Sequence, residues 1–370
     1  MRPVRPVVHH GALLIACVLI ASASQPVAAA VPPSGAITAS DSASAAPSAH
    51  DSTLTIVPAS QHPASGTVAA DSLGGHASAP DSLGPRLTER AVLASTGADR
   101  GEVLDPSGVA VDAFGRVYVS DVAAHRVIRL DPGVAKGAEF GSLGSDAQMM
   151  RRPSGVALLG TLGVAVLDRD NQRILSYDLF GRPLGTLVDL ASDALERVVG
   201  RIDPIALASD RGGALMLIDR ERDRVLAFDF SGRYLRAIGG LGSKPGSFRA
   251  LRGIAITPHG ELVTADRGNA RVQRLDASGR AVVAWSLSVG PGEAALPIAV
   301  DGNGRVAVAD ETSGRLWLFS PSGTLLLTAD GLTRPRAMAF APDGTLLVAE
   351  GAPARVRRFA FEGVPASSRE

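Results

Sequence analysis

The chain has 370 residues, enough for one large or two ordinary domains, and its 37 basic side chains are matched by 37 acidic ones. A net charge of zero disfavours nucleic acid as the main partner, because such binding rests on neutralising phosphates with surplus Lys and Arg. The one cysteine, Cys17, falls in a segment expected to be removed or lipidated, so the mature chain is expected to have no disulfide, thiol nucleophile or cysteine-ligated zinc.

Residues 1–30 have the order of a secretory signal peptide. Arg2 and Arg5 precede an apolar run from Ala12 to Ala21, and small residues follow to Ala30. The run is too short to span a bilayer comfortably. Cleavage is expected after Ala23 or near Ala30. A competing reading is a lipobox at Leu14-Ile15-Ala16-Cys17, although the apolar run continues through Ile20. The chain is therefore expected to be exported, to the periplasm or the extracellular space. It would touch a membrane only if the signal is retained or Cys17 carries a lipid. Residues 31–85, rich in Ala, Ser and Pro, have no sustained apolar period and are expected to form a disordered linker. His50, His62 and His76 are too scattered along it to form a convincing metal site.

From 86 to 363 the sequence repeats six times. One acidic column reads Asp121, Asp168, Asp219, Asp266, Asp310 and Glu350. Five residues later stands an arginine in every copy: Arg126, Arg173, Arg224, Arg271, Arg315 and Arg355. Eleven residues before each acid stands an alanine: Ala110, Ala157, Ala208, Ala255, Ala299 and Ala339. Turn glycines recur between the columns. The acids are 40 to 51 residues apart, the length of a four-stranded blade.

These columns predict an all-β, six-bladed β-propeller of four-stranded antiparallel blades. Val109-Ala110-Val111 reads as an innermost strand, where six strands crowd one axis and a small side chain fits. Gly115 turns the chain, Val117-Tyr118-Val119 is the second strand, Asp121 ends it and Arg126 opens the third. The last copy ends near Gly363 without an outer strand. An orphan strand, Leu87 to Leu93, precedes the first copy. Residues 86–96 are therefore predicted to supply the outer strand of the last blade and close the ring, leaving 364–370 as a tail.

The run from Pro106 to Asp131 (Pro-Ser-Gly-Val-Ala-Val-Asp, then Val-Tyr-Val-Ser-Asp, then His-Arg-Val-Ile-Arg-Leu-Asp) resembles the NHL repeat, and the copy from Gly253 to Asp276 is similar to it as well. The resemblance covers the repeat region and implies the propeller fold; it implies little about function.

The acid and arginine columns read as architecture, since a ligand site needs asymmetry. Departures from the repeat carry more information. One place after the acid stand Val122, Arg169, Arg220, Arg267, Glu311 and Gly351. With Arg152 and Arg252 from loops on the same face, Arg169, Arg220 and Arg267 form a candidate ligand-binding rim. Paired guanidinium hydrogen bonds there suit a carboxylate, sulfate or acidic glycan. Arg151, Arg334 and Arg336 lie nearby. The plainer reading, which we favour at this point, is a solvated rim whose arginines pair with Asp170, Asp203, Glu221 and Asp223. The stretch Gly239–Arg249 looks like a phosphate cradle but lacks the Gly-Lys-Ser/Thr ending and reads as a link between blades.

Amidating lyases of NHL type use a histidine-held metal, whereas this repeat region has only His125 and His259, in different blades and on opposite faces by the repeat pattern. Lactonase propellers hold a metal through carboxylates and Asn on inner strands that are aliphatic here. No Gly-x-Ser-x-Gly elbow is present. No catalytic residue, metal or cofactor is therefore expected. The leading expectation is an exported, non-catalytic binding scaffold, monomeric, for a protein, peptide or envelope glycan. The alternative is a periplasmic lyase or hydrolase with its site at the channel mouth.

Overall fold

A computed structural model describes residues 84–98, 101–134 and 137–364. The signal segment, nearly all of the linker and residues 365–370 lie outside the described residues. The described residues form six four-stranded antiparallel sheets arranged as the blades of a propeller.

Blade 1 shows how the repeat becomes structure. It comprises β2 (Pro106–Val111), β3 (Val117–Asp121), β4 (Arg126–Leu130) and β5 (Ala138–Phe140), in that order from the axis outward. Gly115, at φ 78°, makes the turn that β2 and β3 share, a conformation that suits glycine. Every residue of β3 is buried because both faces of the blade meet a neighbour. Six apolar clusters fill the six seams between blades. One of them joins Val109 and Val117 of blade 1 to Leu347, Ala349 and Val356 of blade 6, so the ring closes on a packed core. The six column alanines line one half of the axial channel.

The last blade takes its outer strand from the start of the described chain. β1 (Arg86–Ser95) pairs antiparallel with Ala354–Glu362, from Arg86 opposite Glu362 to Ser95 opposite Arg355. Arg90 reaches Glu362 at 2.6 Å, Arg86 also bonds it, and Arg357 reaches Glu89 at 2.9 Å. Helical elements depart from an all-β expectation, two of them single 3-10 turns at Arg220–Arg222 and Arg267–Asn269. A short helix, α1 (Asp193–Val199), occupies the loop between blades 2 and 3, which is where the repeat spacing is longest.

The acidic column is a clamp. Asp168 accepts the Arg151 amide at 2.6 Å and the Arg173 Nε at 2.8 Å. Asp266 does the same with the Arg249 amide and Arg271, and Glu350 with the Thr333 amide and Arg355. Asp219 takes the Asp203 amide and Arg224. Asp121 takes the amides of Leu104 and Asp105, with Arg126 4.0 Å away. Each acid thus ties the loop entering its blade to the arginine that opens the third strand.

Blade 5 is wired differently. Glu311, one place on, accepts the Ala295 amide at 2.9 Å, while Asp310 receives Arg267 from blade 4 at 2.8 Å. Arg315, without its usual partner, pairs with Asp330 at 2.7 Å. Burial alone favours the neutral form of Asp310. The bonds from Arg267 and Ser313 outweigh it and hold the carboxyl below its ordinary value.

Two outcomes follow from this wiring. Deleting residues 86–96 exposes the edge of the last blade and is expected to lower the melting temperature sharply, whereas deleting 31–80 leaves it unchanged; calorimetry of the two truncations separates them. Arg267→Ala leaves Asp310 buried without its cation and is expected to cost about 3–5 kcal/mol in urea unfolding at neutral pH. Because the folded pKa of Asp310 is depressed, its contribution is complete above the unfolded value near about 4 and vanishes as pH falls through the folded one. The gap between variant and parent is therefore expected to narrow in acid.

Candidate functional site at the channel mouth

Loops entering the innermost strands and loops joining the second and third strands share one face of the ring. At its centre the axial channel opens into a cavity of 270 Å³. Strand geometry decides which side chains reach it. Two or three residues before each column alanine, the inner strands present Ser107 and Gly108, Ser154 and Gly155, Ile205 and Ala206, Arg252 and Gly253, Pro297, and Arg336 and Ala337. Below them Val109, Val156, Leu207, Ile254, Ile298 and Met338, one from each blade, form an aliphatic floor. Those same six residues line the other half of the channel, a cavity of 410 Å³.

The ionisable groups at the mouth come from blades 3 to 6, namely Arg220, Arg252, Glu293, Glu311 and Arg336. Arg252 is buried. Its guanidinium donates to the Leu251 carbonyl at 2.9 Å, to the Glu293 carbonyl at 3.2 Å and to the Glu293 carboxylate. Burial pulls the Arg252 pKa below its ordinary value against the pull of Asp223. Arg336 lies between Asp105, at 2.5 Å, and Glu311, at 3.5 Å. Glu311 also receives Arg334 at 3.4 Å, while its other oxygen holds the Ala295 amide. Glu293 is mostly exposed and Arg252 is its one ion-pair partner among the described residues.

The five rim arginines separate by position. Arg220 and Arg252 line the mouth. Arg169 and Arg220 both bond Asp203, at 3.1 and 2.7 Å. Burial opposes ionisation of Asp203, but these two guanidiniums hold its carboxyl below the usual value. Arg267 is buried on Asp310 and does not line the mouth. Arg152 stands exposed in a left-handed turn, φ 52°, with its amide on His125 Nδ1 at 3.0 Å. Of the four acids expected beside these arginines, Asp203 pairs with them. Asp223 instead accepts the Leu251 amide at 3.0 Å, and Asp170 and Glu221 make no ion pair among the described residues.

Glu293 was not visible as a site residue, because its loop has no counterpart in the repeat. Glu311 was visible only as a reversal of sign in the arginine position. The mouth so formed carries balanced donors and acceptors over an apolar floor, with Ser107 and Ser154 in the lining from blades 1 and 2 and the Ser107 hydroxyl donating to the Pro153 carbonyl at 3.2 Å. It can orient a small uncharged ring through hydrogen bonds and polarise a carbonyl with a guanidinium.

Among the described residues no three His, Cys, Asp or Glu side chains come together as metal donors. His125 stands on the mouth face and His259 in an inner-strand turn of the opposite face. The donor sets of histidine- or carboxylate-held propeller metals do not fit this mouth, and no chemical step here is routed through one. No described helix is long and apolar enough to cross a membrane.

No family model matches the chain, and no curated protein sequence matches it. Solved structures do. A streptogramin B lyase shares 13% identity at a TM-score of 0.55, covering 75% of this chain and 98% of its own. A gluconolactonase of Xanthomonas campestris shares 15% at a TM-score of 0.55, covering 75% and 90%. An aldose sugar dehydrogenase of Streptomyces coelicolor, solved with PQQ bound, shares 16% at a TM-score of 0.51, covering 75% and 98%. At such identities the likeness shows the six-bladed propeller fold, and the neighbours that share it here include a lyase, a lactonase and a dehydrogenase.

Proposed function

We propose that the protein is a lyase or hydrolase acting at its channel mouth on a small molecule with an ester-like carbonyl, lactones being the first class to test. One arrangement carries the reading: two ion pairs, buried Arg252 with Glu293 and half-buried Arg336 with Glu311, line an apolar-floored cavity of 270 Å³. The guanidiniums are fixed before a ligand arrives and can stabilise charge developing on a carbonyl oxygen. Glu293, with one ion-pair partner and an exposed carboxylate, is the group placed to accept a proton from water or from a carbon beside the carbonyl. Glu311 holds Arg336 in place. That enzymes of lyase and lactonase type share the fold supports this reading over a non-catalytic scaffold.

A binding scaffold for a protein, peptide or glycan is the second reading, and the charge-matched rim favours it. The assignment to NHL repeats rests on the motifs at Pro106–Asp131 and Gly253–Asp276, and export rests on the residue order of 1–30.

The test is turnover of gluconolactone and of streptogramin B by the purified chain, with Glu293→Gln beside it. The expected outcome is ring opening of at least one probe and a fall in kcat/KM of about 100-fold or more in the variant. Activity is expected to survive EDTA. If neither probe turns over and neither raises the melting temperature, the mouth is not such a site.

A further inference from the structure

The face opposite the mouth is asymmetric in a way the repeat does not require. It is built from two sets of turns, those leaving the innermost strands and those leaving the third strands. In blades 1 to 3 four of these six turns carry a large apolar residue in the open: Phe114, Leu162, Phe180 and Phe230 are 74, 81, 64 and 72% exposed. The residue before the turn glycine, Phe114, Leu162 and Phe180 in blades 1 and 2, is polar in blades 4 to 6, with His259, Asn303 and Asp343 in the first set and Ser278 and Ser322 in the second; Phe230 stands one place earlier, where blades 4 and 5 have Ala277 and Pro321. A single exposed apolar residue needs no explanation. Four on three consecutive blades of one face, with no large exposed apolar residue in the same turns of blades 4 to 6, do.

The four tips fall into two pairs that each join adjacent blades. Arg116 stacks 4.9 Å from the Phe114 ring and 5.5 Å from the Phe180 ring, bridging blades 1 and 2. A Cβ placed on Gly213 would lie 3.6 Å from Phe230 Cβ and 3.3 Å from the Gly160 amide, in the turn that carries Leu162. The charges beside the tips point outward with one sign. Arg182 and Arg233 are 80 and 77% exposed, whereas their partners Asp178 and Asp229 are drawn into the turns by backbone amides at 2.8–3.0 Å. Protruding rings flanked by outward guanidiniums suit a plane with apolar depth and negative charge. The described chain also starts here, because Arg86 opens β1 opposite Glu362, on this face of blade 6, next to blade 1. Any tether made by the residues before 84 joins the ring at this face.

We infer that blades 1 to 3 dock this face on an anionic lipid surface, with Phe114, Leu162, Phe180 and Phe230 as the inserting tips and Arg182 and Arg233 contacting headgroups. The channel mouth then faces away from the membrane, open to solvent. The inference does not rest on the proposed chemistry of the mouth, with which it shares no residue.

The test reads individual tips in the full chain, so binding through the N-terminal segment cannot mimic it. Cys17 is the one cysteine in the sequence. In a Cys17→Ser background, Phe180→Cys and, as the control on a polar blade, Ser322→Cys each carry an environment-sensitive NBD label. The probes are phosphatidylcholine vesicles with and without phosphatidylglycerol at about 30 mol%. Emission from position 180 is expected to rise and shift to the blue with the anionic vesicles, with little change at 322, and to weaken as salt is raised. Phe114→Ser with Phe230→Ser is expected to weaken the vesicle response at 180 by about tenfold or more in lipid concentration. An unchanged label at 180, an equal response at 322, or equal binding to neutral vesicles would overturn the inference. So would a dimer in sedimentation analysis that Phe180→Ser dissolves, since the tips would then be covered by a second copy.

Discussion

Each blade hangs on a carboxylate that ties a loop amide to a guanidinium at the same end of the sheet. Asp168, Asp219, Asp266 and Glu350 each do both jobs, and Asp121 does the first with Arg126 close by. These acids are buried, so each needs its partners: an unpaired carboxylate there would be costly, and a paired one fixes two loops in one register. The mouth is built from those loops. Its geometry therefore depends on the clamp, even though the clamp acids do not line it. Blade 5 makes the dependence visible. There Glu311 does the amide half of the work from one place further on, which brings a carboxylate to the mouth and releases Asp310 to hold Arg267 of the neighbouring blade.

The second constraint is space at the axis. Six inner strands converge there, and the column alanines keep them from colliding while leaving a channel. One residue earlier in each strand the side chain is aliphatic, so the mouth ends on a floor without charge. Charged groups above that floor lose water on one side, which strengthens their electrostatic interactions. Arg252 shows the cost of the same arrangement, since burial depresses its pKa even beside Glu293.

Most of the fold was legible because it is written six times. A column such as Ala110 to Ala339 cannot arise by chance, and its spacing specifies strand, turn and blade without reference to any single residue's propensity. The orphan strand at Leu87–Leu93 was readable for the same reason, as a remainder once the copies were aligned; β1 runs Arg86–Ser95. What repetition cannot carry was missed. Helix α1 sits in an insertion with no counterpart, and Glu293 in a loop of that kind. The rim arginines were readable as a set but not by destination. Arg220 and Arg267 occupy the same column, yet one lines the mouth and the other is buried on Asp310, because only in blade 5 is the acid free to receive it. The sequence showed that a sign change stood at Glu311; that this rewires three neighbours is a property of contacts across a seam.

Departures from the repeat are distributed unevenly around the ring, and the unevenness separates two kinds of surface. On the mouth face the ionisable groups that line the cavity come from blades 3 to 6, and blades 1 and 2 contribute serines, glycines and valines to it. On the opposite face the apolar departures gather in blades 1 to 3. The two sets lie at opposite ends of the strands and have no side chain in common. Between them stand buried strands packed in the same way in all six blades, which act as a stiff spacer. Substitutions on one face are therefore unlinked to those on the other except through global stability. A repeat fold can in this way carry two unrelated recognition surfaces without compromise, since each is made by altering loops while the columns that hold the blades together stay constant.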